Sequence, residues 1–403
     1  MSHAALITPI KEWLIDQSLG KCDIVELFET MCIRMTAVGI PIRRARLIWP
    51  TLHPLFQAET VMWDNGEPAR LEQFLHQDQA SEAWNNSPLK YAIDNGLSVL
   101  RRQLEGENEL IDFELTKELK EAGFTDYLLL ATQLQGTSFR KREGEKNRGI
   151  LVTWASDKPG GFSTDDLNSL QSIQRRFAVA AKTIIQSRIS ENIAHTYLGV
   201  RAGDNVLNGQ IRHGDGEKTR AVVWYSDLRN STSLAETLEP DEYFSLLNSY
   251  FDATAEPVQE FGGEVLDFIG DAVLGIFPFE NDTELKSAVC AANNALSRTI
   301  QKANENNELR AKEGLERFNY GVALNAGDVM FGNIGIPSRL TFSAIGPTVN
   351  EAARIEQMTK LLQRTALAGK DIAQIAPDNW TSVGSHKLEG MLDPVELFAF
   401  TGT

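Results

Sequence analysis

The spacing of hydrophobic and polar positions predicts strands and one long helix in the first half of the chain. The runs Tyr127–Gln133 and Gly149–Ala155 are typical of strands. Ser163 followed by Asp166 is typical of a helix N-terminus. The apolar residues of the helix that follows are mostly three or four positions apart: Leu167, Leu170, Ile173, Phe177, Ala181 and Ile184. Such a stripe predicts either a dimer seam or a core helix, and the pattern alone leaves both open.

From residue 219 onward the pattern alternates between strands and helices. An apolar strand, Arg220–Ser226, ends at Asp227, and a helix from about 240 to 261 ends at two glycines. Two strands then meet at a tight hairpin formed by Gly270 and Asp271. The later predicted elements are a helix near 282–306, a strand at 317–324, a turn at 325–328, a further strand and a helix starting around Val349. This order predicts an α/β sandwich with a largely antiparallel sheet.

The length of 403 residues suggests two or three domains. We divide the chain into an N-terminal domain at 1–190, a connector rich in glycine and charge at 191–218, and a C-terminal domain at 219–403. Five of the seven tryptophans lie in the first domain, where they are more typical of a core than of a cofactor site.

The net charge is −16, and thirteen of the sixteen excess negative charges lie in residues 221–403. A chain this acidic is not expected to bind nucleic acids nonspecifically or to bind anionic membranes. Three widely spaced cysteines form no disulfide framework, which favours a reducing, cytoplasmic location. No apolar stretch approaches the length of a membrane span, and charged residues interrupt the first apolar stretch, unlike in a signal peptide.

Two aspartates stand out by their positions. Asp227 ends a predicted buried strand and Asp271 lies at the hairpin tip, so neighbouring strands would bring both carboxylates to one sheet edge. Carboxylate oxygens there could hold hard divalent cations. The backbone amides of residues 228–232 open a helix and could bind phosphate. The alternative is that Asp227 is a helix cap and Asp271 a turn residue.

A third element favours the functional interpretation. Asn350 and Arg354 lie four positions apart, on one face of a predicted helix. Asn could orient a sugar, and Arg could stabilise charge on a pentavalent phosphorus. Alone, such a pair is usually part of a solvated helix face, but together with the two aspartates it matches one family.

Residues 219–403 resemble the catalytic domain of the class III nucleotidyl cyclases. The resemblance is carried by four segments in order: Val222–Thr232, Gly262–Leu274, Gly327–Gly335 and Gly346–Arg354. It implies a ferredoxin-like α/β sandwich with a mostly antiparallel sheet. The preceding connector resembles the segment that joins sensor domains to these cyclases.

The resemblance implies a two-metal mechanism. Asp227 and Asp271, assisted by the Leu228 carbonyl, would bind two Mg²⁺ or Mn²⁺ ions. Asn350 would orient the ribose and Arg354 would stabilise the developing charge. The triphosphate would lie on the residues that follow the first metal ligand: Leu228, Arg229, Asn230, Ser231 and Thr232. In this family the aspartates come from one chain and the Asn and Arg from its partner, which implies a homodimer with two shared sites.

The base-reading positions depart from the adenylate cyclase pattern. They hold Asp267 and Ser343, where that pattern has Lys and Asp or Thr. Asp could accept hydrogen bonds from guanine, and Ser could donate to its O6. Because the family as a whole favours cyclic AMP as the product, we place adenylate cyclase first. Guanylate cyclase and a non-catalytic nucleotide-binding regulator are the alternatives. Pro347 and Glu389 also depart from the family, which weakens the expected triphosphate affinity.

The end of the N-terminal domain, about residues 145–190, resembles a GAF-type sensory domain, an α+β fold. The resemblance implies regulation through an unknown small molecule. His53 is the candidate for such a site, although a core or surface histidine is favoured because no second ligand is spaced to it.

Overall fold

The computed structural model describes residues 3–76, 81–134, 149–212, 214, 216–336 and 338–402. The chain divides into two compact units, Met1–Thr196 and Tyr197–Thr403. Within the described ranges, no helix is both long and apolar enough to cross a lipid bilayer.

The N-terminal unit is built on a six-stranded sheet with the order β3-β2-β1-β6-β5-β4, in which every neighbouring pair is antiparallel. Its strands are Arg44–Pro50 (β1), Phe56–Asp64 (β2), Arg70–Leu75 (β3), Val99–Gln103 (β4), Asp126–Gln133 (β5) and Gly149–Ser156 (β6). Its helices are His3–Leu19 (α1), Ile24–Ala37 (α2), Glu82–Asn85 (α3), Pro88–Asp94 (α4), Glu114–Glu121 (α5) and Thr164–Leu198 (α6). Both strand predictions in this half are confirmed, and the α+β content agrees with the expected class.

Helix α6 begins where the sequence predicts. Asp166 N donates to Ser163 Oγ at 3.2 Å, and Ser163 N donates to Asp166 Oδ2 at 2.9 Å. Leu170, Ile173 and Phe177 of the apolar stripe of α6 are fully buried in a core that also contains residues of the sheet, α1 and α2. Of the two open alternatives, this part of the stripe is therefore a core helix.

An ion pair ties α6 to strand β2. The Arg188 guanidinium on α6 donates to both carboxylate oxygens of Glu59, at 3.1 and 3.2 Å. Gln73 Nε2 on β3 donates to the same carboxylate at 2.8 Å, and Glu59 is 1% exposed. The buried charge of Glu59 is thus paired and hydrogen-bonded, as burial requires.

The C-terminal unit is built on an eight-stranded sheet with the order β13-β14-β12-β10-β7-β9-β8, and β11 pairs with β10. Its strands are Gly216–Leu228 (β7), Glu264–Ile269 (β8), Ala272–Phe279 (β9), Tyr320–Ile336 (β10), Arg339–Ile345 (β11), Ala366–Ala368 (β12), Trp380–His386 (β13) and Val395–Phe400 (β14). Among the strand pairs described, β10 with β12 is the single parallel one.

Helices cover both faces of this sheet. They are Val200–Leu207 (α7), Ser231–Thr237 (α8), Pro240–Thr254 (α9), Glu256–Glu260 (α10), Asp282–Lys312 (α11), Pro347–Leu361 (α12) and Lys370–Ile375 (α13), with a 3₁₀ turn at Pro377–Asn379. Helices α9, α10 and α11 bury one face through residues such as Tyr250 and Leu296. Helix α12 packs on the other face, where Ala352 joins a cluster with Leu274 and Phe331. The expected mostly antiparallel α/β sandwich is confirmed.

The turn predicted at 325–328 is wrong, because β10 continues through it and stays paired with β7. Asn325 is 6% exposed, and its Nδ2 donates to the Thr348 carbonyl at 3.3 Å. A Cβ at Gly327 would lie 2.7 Å from Thr348 Oγ1, so glycine serves close packing with α12 here. The helix predicted from 240 to 261 is two helices, α9 and α10.

Candidate active site

Strand pairing brings Asp227 and Asp271 to the same end of the sheet. Asp227 is the penultimate residue of β7, and it pairs with Ala272, the first residue of β9. Asp271 directly precedes Ala272, in the tight turn after β8, where Gly270 takes the left-handed conformation with φ 67°. The backbone therefore holds both carboxyl groups at one edge.

The two carboxyl groups lie close enough for the charge of one to act on the other. Burial, and after it the nearby charge of Asp271, together raise the pKa of Asp227 to about 6. Neighbouring carboxylates repel each other, and a bound cation removes that repulsion. Asp227 and Asp271 therefore concentrate negative charge at this edge of the sheet.

Asp227 opens onto a cavity of about 330 Å³. Its wall follows the chain from the end of β7 into the start of α8, and α12 closes the other side. The lining residues are Asp227, Leu228, Arg229, Asn230, Ser231, Thr232, Glu356, Gln357 and Lys360. All five predicted phosphate-loop residues therefore line one cavity with the first aspartate.

The loop before α8 presents fewer amides than the sequence predicted. The Leu228 residue is paired with Tyr320 in the sheet, and Arg229 N donates to the Asn319 carbonyl at 2.8 Å. Asn230 adopts the left-handed conformation with φ 60°, and the first backbone bond of α8 joins Leu234 N to Asn230 O. The amides free to meet a phosphate thus belong to the helix start, at Ser231 and Thr232.

The Arg229 side chain lies along this cavity wall. Its Nη2 donates to the Arg364 carbonyl at 2.6 Å. Its Nε is buried and makes no hydrogen bond with any described residue. The guanidinium is therefore anchored at one end, and its buried Nε has no acceptor among the described residues.

Asn350 and Arg354 do not line the cavity. They lie on α12, where Asn350 is exposed and the Arg354 guanidinium lies against Gly390. A Cβ on Gly390 would be 3.3 Å from Arg354 Nη2. One chain thus brings together the two aspartates and the phosphate loop, while the Asn–Arg pair lies on the outer side of α12.

The predicted base-reading residues lie on two neighbouring strands. Asp267 on β8 pairs with Leu274, and a bulge between Val265 and Asp267 sets this register. Ser343 on β11 pairs with Gly332 and is half-buried. Strand β11 contacts β8, but no described hydrogen bond joins the Asp267 and Ser343 side chains.

Three residues of the cavity were not among the predicted site residues: Glu356, Gln357 and Lys360. Burial raises the pKa of Glu356 to about 7, and the charge of Asp227 contributes to the increase. A sequence signal existed, because Glu356 falls one helical turn after the buried Ala352, at a core-facing position where a charge is unexpected.

The donor atoms at this site fit a hard divalent cation. They are carboxylate oxygens of Asp227 and Asp271, with the Leu228 carbonyl next to them in the chain, and oxygen is the donor that Mg²⁺ and Mn²⁺ prefer. In the part of the chain that the structure describes, no three acidic, His or Cys side chains converge closely enough to hold a metal together. A cation would therefore bind at the sheet edge where Asp227 and Asp271 meet.

The N-terminal unit has a cavity of its own, of about 1260 Å³, which is mostly apolar. Small side chains of the sheet, Ala58, Thr60 and Ala131, line it, and Trp84 of α3 also contributes. His53 does not line this cavity, and its Nδ1 accepts a hydrogen bond from Leu55 N at 3.1 Å.

Residues 216–366 match the adenylate and guanylate cyclase catalytic domain family. The C-terminal unit contains a class III nucleotidyl cyclase domain. The matched segment of the cyclase domain begins with β7 and extends past Arg354 on α12. It therefore contains both aspartates, the phosphate loop and the Asn–Arg pair.

Curated relatives and solved structures are similar to about half of the chain. An adenylate cyclase of Anabaena cylindrica is 28% identical over 207 residues, which are 51% of this chain and 39% of the relative. The chain thus spans about two fifths of that relative's length. The adenylyl cyclase CyaB from P. aeruginosa is 22% identical with a TM-score of 0.41, covering 47% of this chain and 96% of that one. The guanylyl cyclase Cya2 is 28% identical with a TM-score of 0.40, covering 47% and 94%.

Proposed function

We propose that this protein is an adenylate cyclase that converts ATP to 3′,5′-cyclic AMP and pyrophosphate. The observation that carries the proposal is that Asp227 and Asp271 meet at one edge of the sheet, where Asp227 lines a cavity together with residues 228–232. In the reaction the ribose 3′-oxygen forms a bond to the α-phosphorus. The bond to the bridging oxygen of pyrophosphate breaks, and the 3′-hydroxyl proton is released.

Asp227, Asp271 and the Leu228 carbonyl would hold two Mg²⁺ or Mn²⁺ ions. Bound there, the ions would lower the pKa of the 3′-hydroxyl and neutralise the triphosphate. The amides of Ser231 and Thr232 and the guanidinium of Arg229, three residues that line the cavity, then bind phosphate oxygens. In a domain with so many acidic residues, these local donors are what makes binding of a polyanion possible.

The site is proposed to be completed by a second copy of the chain. Asn350 and Arg354 lie outside the cavity of their own chain, on a face of α12 that is open to solvent at Asn350. From the partner, Asn350 would orient the ribose and Arg354 would stabilise charge on the phosphorus. The proposed functional unit is therefore a homodimer with two equivalent sites.

Guanylate cyclase is the second candidate, because of Asp267. The bulge in β8 keeps Asp267 in register with Leu274, half-buried and without a described hydrogen-bond partner. A free carboxylate can accept from guanine N1–H and N2–H but not from adenine N1, which is itself an acceptor. Ser343 could donate to guanine O6 or accept from the adenine amino group.

The N-terminal unit is proposed to regulate the cyclase in the cytoplasm through a GAF-like fold. Its apolar cavity would bind the unknown small molecule.

Incubation of the purified protein with Mn²⁺ and each of ATP, GTP, CTP and UTP tests these proposals. Adenylate cyclase predicts cyclic AMP as the main product, and guanylate cyclase predicts cyclic GMP. Absence of any cyclic product, with nucleotide binding retained, would favour the non-catalytic regulator and refute the enzyme proposal.

A further inference from the structure

Glu356 is a buried carboxylate that lines the same cavity as Asp227. It lies two residues after Arg354 on α12, and two residues turn an α-helix by about 200°. The same helix thus presents Arg354 on one side and Glu356 on the other. Glu356 is 7% exposed and lines the cavity beside Asp227 and Arg229.

The backbone beneath Glu356 is shaped to admit its carboxylate. Gly321 on β10 pairs directly with Asp227 on β7. A Cβ on Gly321 would overlap both Glu356 Oε1 and Thr359 Oγ1. The absence of a side chain at Gly321 therefore lets the Glu356 carboxylate lie directly on the sheet, one strand away from Asp227.

The hydrogen bonding of Glu356 is incomplete for a buried charge. Among the described residues, the one donor to its carboxylate is Thr359 Oγ1, at 3.2 Å from Oε1. No described Lys, Arg or His forms an ion pair with it. In such surroundings the carboxylate either takes up a proton, in line with its raised pKa of about 7, or keeps its charge when a cation approaches it.

The charged residues around Glu356 indicate that a cation would stabilise its carboxylate. Asp227 and Asp271 are both close enough to raise the pKa of Glu356, and Arg229 acts in the opposite direction. Asp227 and Glu356 therefore line one small cavity, with Asp271 at the adjoining sheet edge and with Arg229 and Lys360 as the cationic residues of the cavity wall. A divalent cation at the aspartate pair would relieve the repulsion among the three carboxylates.

We propose that Glu356 is a positioning residue of the metal site: without ligating the ions, its carboxylate supplies a third negative charge that stabilises divalent cations held by Asp227 and Asp271. This inference rests on the proposed function of the aspartate pair. Residues that act on a metal from just beyond its ligands change its affinity by about 10- to 100-fold.

The test is direct Mn²⁺ binding to the full-length protein without nucleotide, followed by the electron paramagnetic resonance of free Mn²⁺. Glu356→Gln keeps the shape of the side chain and removes its charge. We expect its Mn²⁺ dissociation constant to rise by about tenfold. Glu351→Gln makes the same change on α12 outside the cavity and should bind Mn²⁺ like the wild type.

Thermal unfolding without metal separates this role from a purely structural one. The melting temperature of metal-free Glu356→Gln should equal or exceed that of the wild type, because a poorly paired buried charge has been removed. If the Gln variant does not fold, Glu356→Asp retains the charge at a shorter reach and should bind Mn²⁺ more weakly than the wild type. In nucleotide turnover, Glu356→Gln should need more Mn²⁺ for half-maximal rate and recover when Mn²⁺ is saturating.

Asp227→Asn distinguishes failure of this inference from failure of the proposed function. If Asp227→Asn loses Mn²⁺ binding while Glu356→Gln binds as tightly as the wild type, only the role of Glu356 is overturned. If Asp227→Asn also binds Mn²⁺ like the wild type, the metal site itself is refuted, and the inference with it.

Discussion

Asp227 and Asp271 meet at one edge of the sheet, because Asp227 pairs with Ala272, the residue that follows Asp271. Burial and the nearby charge of Asp271 favour the protonated form of Asp227, and a bound cation would favour its charged form instead. The metal-free and metal-bound proteins should therefore respond differently to pH.

We expect the metal-free protein to lose stability as pH rises from the ordinary aspartate range through about 6, the raised pKa of Asp227. In this window the folded state holds a proton that the unfolded chain has already released, so each increase in pH favours unfolding. Melting temperatures measured across the window, without metal, check this. Asp227→Asn should flatten the profile, and identical profiles for both proteins would contradict the assignment.

Complementation tests whether the active site is shared. Asp227→Ala and Arg354→Ala should each be inactive, because each dimer then lacks one half of both sites. An equal mixture that exchanges subunits should regain about a quarter of the wild-type activity, since half of the dimers contain one intact site. Failure of the mixture, once heterodimers are demonstrated, would refute the shared site.

Asp267→Lys tests base recognition. A lysine can donate to adenine N1, so the ratio of kcat/KM for ATP over GTP should rise by about tenfold or more, as for a charged hydrogen bond. Asp282→Lys makes the same change at an exposed position at the start of α11 and should leave the ratio unchanged. An unchanged ratio in Asp267→Lys would mean that this residue does not read the base.

Gly321→Ala tests the packing beneath Glu356. The added methyl group would overlap the Glu356 and Thr359 side chains, and overpacking of this kind costs about 1–3 kcal/mol in the free energy of unfolding. Urea unfolding measures the loss. Gly20→Ala is the matched control, because its Cβ would meet its nearest atom, Gln17 O, at an ordinary 3.9 Å. Equal stability of the two variants would show that the carboxylate can move aside freely.

The sequence predicted the parts of the site that depend on local pattern. Asp227 follows an apolar strand and Asp271 a tight turn, so both positions could be inferred without knowing the tertiary structure. The spacing of Asn350 and Arg354 on a helix is likewise a local property. The roles assigned to these residues stay predictions until they are tested.

The features that the sequence missed depend on distant contacts. The residues Asn-Ala-Gly-Asp at 325–328 have the composition of a turn, yet they remain in β10 because Asn325 and Gly327 pack against Thr348 of α12. Glu356 was missed for the same reason. Its burial depends on Gly321, a residue 35 positions earlier in the chain.

Strand β2 contacts both the N-terminal cavity and helix α6, the latter through the ion pair between Glu59 and Arg188. Neighbouring residues of a strand point to opposite faces, so Ala58 and Thr60 line the N-terminal cavity while Glu59 between them holds α6. If a molecule in the cavity displaced residues 58–60, the Arg188 guanidinium that is bound to Glu59 would move with them. The cavity and the 35-residue helix α6 are thus linked through three consecutive residues of one strand.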